Sequence, residues 1–245
     1  MAKKSDLGFA PNYAHALEIN TTPDDSSPTW AILSRGITNI TPSPNESTED
    51  KDYYDGFGVP ETRVTSTQIQ YEVEGDRCYG DPAQDYISSC ALETGDGRKT
   101  RFRHTAPNGD VIEGDCTLLN LTPNSGQGEA SAPGAFTCTV ATAGYPEFKP
   151  ANKLKLPTDV TAEDVSVAVD AKVKIEATVT PEDANGKCFF ASGDTDIATV
   201  DSDGNVTGVS EGKCKIAVRA ASKPAILKTI EVTVTPAATK AAKTS

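Results

Sequence analysis

Ala191-Ser-Gly-Asp-Thr-Asp-Ile-Ala-Thr-Val-Asp-Ser-Asp-Gly-Asn-Val-Thr-Gly-Val209 is the stretch whose reading decides the fold of the last third of the chain. Ile197, Val200, Val206 and Val209 are spaced to cover a sheet, and Asp203-Gly204 between them is a hairpin-turn signal. The neighbouring sequence has the same texture. Val165-Ser-Val-Ala-Val169, Val173-Lys-Ile-Glu-Ala-Thr-Val179, Lys213-Cys-Lys-Ile-Ala-Val218 and Ile230-Glu-Val-Thr-Val234 are short β-branched runs, set apart by turns at Gly186, Gly212 and Lys223-Pro224. Many short strands at even spacing within about 80 residues predict a β-sandwich over 158–236. The remainder, 237–245, is rich in Ala, Lys and Thr and is expected to be a disordered tail.

Upstream, Tyr145 to about Pro157 carries Lys149, Lys153 and Lys155 and reads as a linker from about residue 146, so that 1–157 forms a separate N-terminal domain. Within it, Met1 to about Pro28 is polar and Pro-containing and reads as an arm and a loop. Trp30-Ala-Ile-Leu and Gly36-Ile-Thr-Asn-Ile40 are strand-like pieces around Gly36, and Trp30, the only tryptophan, reads as a core or interface anchor. Gln68-Ile-Gln-Tyr-Glu-Val-Glu74 alternates strictly, with Ile69, Tyr71 and Val73 on a buried face and Gln68, Gln70, Glu72 and Glu74 on a wet one. Asp81 to Leu92 is the one helix expected, with Asp81 as N-cap and Pro82 in the first turn. Arg98–Thr105 and Asp110–Leu121 form a hairpin around Pro107-Asn-Gly-Asp110. A small-residue loop over Gly126–Pro133 and a last strand over Ala135–Thr142 complete the domain.

Between these elements, Asn45 to Pro60 reads as a long loop. It holds Glu46, Glu49, Asp50, Asp52 and Asp55 against Lys51, together with Tyr53, Tyr54 and Phe57. Its length and charge predict poor order in a monomer, and its rings predict something to dock against. Charge is unevenly spread in a chain whose formal net charge is −12: 46–96 holds thirteen acids against Lys51, Arg63 and Arg77, whereas Arg98, Lys99, Arg101 and Arg103 follow with no acid between them. That basic strand is the natural electrostatic counterpart of the acidic loop. An acidic protein repels phosphate, which argues against tight binding of nucleic acid but suits a surface that DNA must pass without sticking.

The segment from about Thr161 to Pro236 resembles the bacterial immunoglobulin-like domain, group 2, on the opening stretch above, on Val173-Lys-Ile-Glu-Ala-Thr-Val-Thr-Pro-Glu-Asp-Ala184 and on Glu211-Gly-Lys-Cys-Lys-Ile-Ala-Val218. Phe190 stands where that family commonly has tryptophan. The resemblance places Cys188 and Cys214 on adjacent strands, in the core and near each other. Residues 29 to about 146 resemble the major tail tube protein of long-tailed, non-contractile bacteriophages, through an order of features: the opening strand ending Gly36-Ile-Thr-Asn-Ile40, the acidic aromatic loop ending Tyr54-Asp-Gly-Phe-Gly58, the strand ending Val73-Glu-Gly-Asp-Arg77, Gly80-Asp-Pro-Ala-Gln-Asp-Tyr-Ile87 opening the helix, and a hairpin with a Gly- and Ala-rich loop. The resemblance implies a mainly β protein: a tail-tube β-sandwich or barrel with one flanking helix, assembling with itself as stacked hexameric rings around a DNA channel, and carrying its Ig-like domain on the exterior. It implies partners at the two tube ends and inside the tube (tail terminator, distal tail and tape measure proteins), weak contact of the Ig-like domain with host-surface glycans, and a place in the virion after assembly in the host cytoplasm. In this frame Tyr53, Tyr54 and Phe57 are inter-ring contacts, Gln68, Gln70, Glu72 and Glu74 are a candidate lumen face, and Arg98, Lys99, Arg101 and Arg103 are an interface strand.

No catalytic constellation is present, and no enzyme activity or cofactor is expected. His104 has no nucleophile motif around it and reads as a solvent-facing strand residue; Gly95-Asp-Gly97 is a turn and not a phosphate loop; Glu49-Asp-Lys-Asp52 lacks calcium-loop spacing. With two histidines and no C-x-x-C pair, no metal site is expected. The six cysteines read first as small buried hydrophobes, with structural disulfides or reactive thiols as the other readings. No apolar run reaches membrane-spanning length, and Met1-Ala-Lys-Lys-Ser-Asp has no apolar stretch behind it, so no secretory signal is expected. Two rival functions share the Ig-like domain: a bacterial surface or secreted adhesin module, and a phage decoration or tail-completion protein that does not polymerise.

Overall fold

The computed structural model describes residues 7–122 and 129–237. The start of the N-terminal arm, residues 126–128 of the small-residue loop and the tail from 238 lie outside the described residues.

The N-terminal domain is built on one eight-stranded sheet. Its strands are β1 (Ala16–Asn20), β2 (Trp30–Ile32), β3 (Ile37–Ser43), β6 (Gln70–Asp76), β7 (Lys99–Thr105), β8 (Val111–Leu119), β9 (Ala135–Thr142) and β10 (Glu147–Lys149), in the order β2-β1-β7-β8-β9-β6-β3 with β10 alongside β8. All pairs are antiparallel. The expected hairpin forms where Gly109, at φ +83°, lets the chain reverse, with the Gly109 amide donating to the Ala106 carbonyl and the Ala106 amide to Asp110. Alternation along β6 is as read: Tyr71 and Val73 are buried, Glu72 and Glu74 exposed.

One strand was hidden in the sequence. Residues 16–20, which read as part of an arm and a loop, form β1, and all five are buried. Leu17 and Ile19 face the core, while Glu18, on the other side, is paired in register with Arg103 of β7. A lone carboxylate is rarely buried without a partner. Its partners here lie 85 and 169 residues away along the chain, where no local pattern reveals them.

The helix α1 (Pro82–Ser89) closes the inner face of the sheet, followed by a 3-10 turn at Cys90–Leu92. Asp81 caps it, accepting from the Gln84 amide at 3.0 Å. Ala83, Ile87 and Cys90 join the core. Gln84 is fully buried and fastens helix to sheet: its Nε2 donates to the carbonyls of Arg35 (2.7 Å) and Asp76 (3.2 Å), and its Oε1 accepts from the Cys78 amide (2.8 Å). Beside it Gly36 and Gly75 pass so closely that a Cβ on Gly75 would overlap the Gly36 carbonyl, which is why the β3–β6 junction carries two glycines.

Asn45–Pro60, with the residues just after it, departs from the loop expected. Its flanks pair as a separate antiparallel ribbon, β4 (Ser47–Lys51) with β5 (Glu61–Ser66), which continues the β3–β6 ladder outward. The ladder is made by backbone hydrogen bonds, which side-chain composition does not reveal.

The C-terminal domain packs β12 (Val165–Ala168), β19 (Leu227–Thr235), β18 (Gly212–Ala220) and β15 (Cys188–Ser192) in one sheet. Against it lie β13 (Lys172–Lys174), β17 (Asn205–Gly208) and β16 (Ala198–Val200) in a second, and β11 (Asp159–Thr161) with β14 (Thr178–Thr180) as a short pair. The run Val173–Val179 is broken into β13 and β14, which serve different sheets. Val206, Ile216, Val218 and Val232 are wholly buried in a core distinct from that of the N-terminal domain. Asp203-Gly204 turns the chain between β16 and β17 with Gly204 at φ +83°, and a Cβ there would press on the Phe190 ring.

All six cysteines are free thiols; five are buried, and Cys78 is partly so. Burial pushes the Cys138 thiol up to about 12 and Cys188 up to about 11, so both are protonated hydrophobes at neutral pH. Cys188 and Cys214 lie in the core as expected but not near each other. Cys188 pairs with Ala220 and Cys214 with Val232, which leaves them six residues apart along the β15–β18 ladder, about 20 Å at strand rise. The strands are adjacent; the register separates the thiols. Among the described residues no helix is long and apolar enough to cross a membrane.

Replacing Gln84 by Leu keeps the packing volume but strands the Cys78 amide and deprives two carbonyls of a donor. The expected cost is about 2–4 kcal/mol, read as a lowered urea midpoint at unchanged slope.

Candidate assembly surface and the interdomain contact

The sheet is curled. Tyr71 of β6 meets Phe102 and His104 of β7 across the core, at ring-centroid distances of 5.8 and 5.2 Å, although β8 and β9 separate these strands in the sheet order. Strands that face each other through a shared core turn their outer sides in opposite directions. The outer surface therefore has two regions, one at β1, β2 and β7 and the other at β3 and β6.

The first region is covered by the Ig-like domain. Glu18, fully buried, accepts from Arg103 Nε and from Lys187 Nζ, each at 2.7 Å, and Arg103 also bonds Asp203 at 2.6 Å. Burial opposes the charge on Arg103, but the bonds to Glu18 and then Asp203 outweigh it and raise its pKa. The Arg103 guanidinium lies over the Trp30 ring at 4.6 Å. The Trp30 carbonyl accepts from both the amide and the hydroxyl of Ser202, at 3.1 and 2.7 Å. Trp30 is thus the anchor between domains, and the turn that carries Ser202 and Asp203 belongs to the stretch that decided the fold.

The segment expected as a linker is fastened along its length. β10 pairs with β8; the Ala151 and Asn152 amides donate to Asp110 Oδ1 at 2.6 and 3.0 Å; the Lys153 amide donates to the Asn108 carbonyl and its Nζ to the Glu182 carbonyl. Asn185 reaches the Ala106 carbonyl at 3.3 Å.

The second region carries the candidate lumen residues. Glu72 and Glu74 are exposed, in register with Thr41 and Asn39 of β3 and with Thr139 and Thr137 of β9. Among the described residues no base lies within ion-pair distance of either. Gln68 and Gln70 do a different job: Gln68 bridges the Thr142 carbonyl, Gln70 Nε2 and Asn45 Nδ2 at the root of the β4–β5 ribbon.

Every residue of β4 and β5 is exposed. At the tip, Tyr54 and Phe57 are 107% and 95% exposed and Tyr53 46%, with Phe57 in the left-handed region at φ +52°. The four bases expected to face this acidic arm all have partners within the chain. Arg98 donates to the Ala91 and Glu93 carbonyls beyond α1, Lys99 pairs with Asp96, Arg101 with Glu113 and Asp115, and Arg103 lies in the interdomain contact. Alternation explains part of this, because Arg101 and Arg103 share the outer face and find acids on the neighbouring strands β8 and β1, while Lys99 meets Asp96 in the 3-10 turn just before β7. His104, expected to face solvent, sits on the inner face and bonds Tyr71 and His15. Among the described residues no group of His, Cys, Asp and Glu is placed to hold a metal.

The geometry defines a two-domain β protein with an exposed ribbon and a docked second sandwich. Residues 157–226 match the family model described as bacterial Ig-like domain, group 2, and the C-terminal domain is of that kind. Among curated proteins none matches the chain. Among solved structures, the chain is similar to one in the tail of an empty gene transfer agent particle with C6 symmetry, at 14% identity and a TM-score of 0.46, covering 57% of this chain and 98% of that one. It is similar to one in the tube-terminating cap of the anti-feeding prophage, at 14% identity and a TM-score of 0.37 over 57% of this chain and 90% of that one. A third similarity is to a chain of the phage p2 baseplate in its activated conformation, at 15% identity and a TM-score of 0.33 over 66% of this chain and 49% of that one.

Glu18→Gln is expected to cost about 3 kcal/mol, because it leaves two cations facing a neutral group in a dry contact. Asp203→Asn is expected to cost less than half of that, since Asp203 is one-third exposed. Both losses are read from urea unfolding. Chain 1–157, stripped of its second domain, is expected to stay folded by circular dichroism with Trp30 fluorescence shifted to longer wavelength. An unshifted emission would place Trp30 outside the contact.

Proposed function

We propose that this chain is a structural virion protein that polymerises as stacked hexameric rings into a phage tail tube, leaves a channel for DNA, and carries its Ig-like domain on the tube exterior. The observation that carries this reading is the β4–β5 ribbon. An isolated two-stranded ribbon with every residue in water is marginal, and its tip presents two fully exposed rings. Such an arm gains its stability from another subunit. The order of sequence features that resembles tail tube proteins supports the reading independently.

The division of the outer surface agrees with it. A domain docked over β1 and β7 points away from β3 and β6, so the Ig-like domain sits outside when Glu72 and Glu74 face the channel. A ring of such carboxylates repels DNA phosphates and prevents trapping in transit. The edge strand β3 is free to pair with a neighbouring subunit, which removes an edge that would otherwise template aggregation, whereas the outer edge of β2 is met at the Trp30 carbonyl by Ser202. The other partners of this reading are the proteins that end and fill a tail tube, with assembly in the host cytoplasm.

Negative-stain microscopy of the purified chain tests it. Tubes or six-fold rings are expected, and persistent monomers would favour a decoration protein or an adhesin module. Replacing Tyr53, Tyr54 and Phe57 together by Ser is expected to leave a folded, soluble protein that forms no tubes; tubes of normal length from this variant would reduce the arm to an ornament.

A further inference from the structure

The chain has two histidines, and the fold brings them together from positions 89 residues apart. The rings of His15 and His104 are stacked, with centroids 5.2 Å apart and planes within 9°, and His15 Nδ1 lies 3.1 Å from His104 Nε2. On its other nitrogen, His104 Nδ1 lies 3.3 Å from the Tyr71 hydroxyl. Tyr71 is buried at the centre of the curled sheet, His104 is half-buried, and His15 covers it from the surface. The two rings therefore sit where β1 begins to pair with β7, directly after the short turn Asn12–Ala14.

We propose that Tyr71, His104 and His15 form an acid-sensitive latch that holds the start of β1, and with it the N-terminal segment from Leu7 to Ala14, against β7. The relay closes with no charge, each neutral imidazole having one N–H to give and one nitrogen to accept. It also has room for one extra proton, which the more exposed His15 takes first, donating from Nδ1 to His104 Nε2. A second proton, on His104, leaves two donors facing each other across 3.1 Å, and the stack must open.

The surroundings do nothing to ease protonation. Along the sheet His104 is flanked by Leu17 of β1 and Ile112 of β8, whereas the charged neighbours Glu18, Arg103 and Glu113 are paired on the outer face. From β6 the facing group is the Tyr71 phenol, which burial pushes up to about 12 and so keeps neutral. Burial, with the proximity of His15 second, lowers His104 to about 4; burial lowers His15 also, and no carboxylate contributes to either shift. A histidine with a depressed folded-state pKa contributes stability that is fully present above its unfolded value of 6.5 and is lost as pH falls from there toward 4.

The test is a pH titration of the full chain by NMR, in which two imidazole signals are resolved without ambiguity. His104 is expected to titrate near 4, with the amides of Ala14–Leu17 moving at the same midpoint. In parallel, the unfolding constant read from Trp30 fluorescence in urea is expected to rise roughly thirtyfold between pH 8 and pH 5 from His104 alone. His104→Asn, which keeps a partner for Tyr71 but cannot take the proton, is expected to lose most of that rise. A His104 midpoint near 6.5, amides at Ala14–Leu17 that stay still while it titrates, or an undiminished rise in the variant would each overturn the latch. The titration uses the unaltered chain and decides the matter even where the variant does not fold.

Discussion

The carboxylate of Glu18 is the point on which the two domains depend. It is fully buried on the outer face of β1, next to the sheet edge, and takes one cation from each domain, Arg103 from β7 and Lys187 from the Ig-like sandwich. A charge in that position is tolerable only when both partners are in place. The contact therefore fixes an orientation as well as a proximity: the Ser202–Asp203 turn must lie over Trp30 and Arg103 for the ionic set to close. Asp110 acts similarly on the connecting segment. Its slight burial is outweighed by the amides of Asn152 and Ala151, which hold its carboxyl below the ordinary range and pin the chain as it crosses between domains.

From that fixed orientation follows the division of the surface. Because Tyr71 reaches Phe102 and His104 through the core, the sheet bends back on itself, and the side that receives the Ig-like domain cannot be the side that presents Glu72 and Glu74. A flat sheet of the same strands would set both on one face. The curl is set by side chains of unequal size: Tyr71, Phe102 and Phe136 fill the centre, while Gly36 and Gly75 allow close backbone approach at one end. Gln84 then locks the helix over the opening, with three bonds that leave none of its own polar atoms unpaired.

The acidic arm has the opposite character. It buries nothing of its own, and the one ion pair it makes among the described residues is that of Lys51 with Glu49. The bases that composition offered as its counterpart have partners nearer by: Arg101 and Arg103 meet acids on adjacent strands, Lys99 meets Asp96 in a turn, and Arg98 meets backbone carbonyls. Whatever meets the arm meets an apolar tip on an acidic stem.

The sequence by itself determined the Ig-like sandwich, since alternation and the Asp203-Gly204 turn are local signals, and β16, β17 and the β18–β19 pair appear where they were read. It likewise determined β6, β9, the β7–β8 hairpin and the capped helix, whose periodicity and turn residues lie within a few positions of one another. Only the tertiary structure decided the rest. β1 was illegible because its charged residue is neutralised by partners from distant segments. The pairing of β4 with β5 was illegible because ladder hydrogen bonds are made by backbone that carries no sequence label. The separation of Cys188 from Cys214 came from register, which a shared core assignment does not specify. His104 was read as facing solvent because alternation gives two faces and does not say which is inside; the curl of the sheet made that choice, and placed His15 over it.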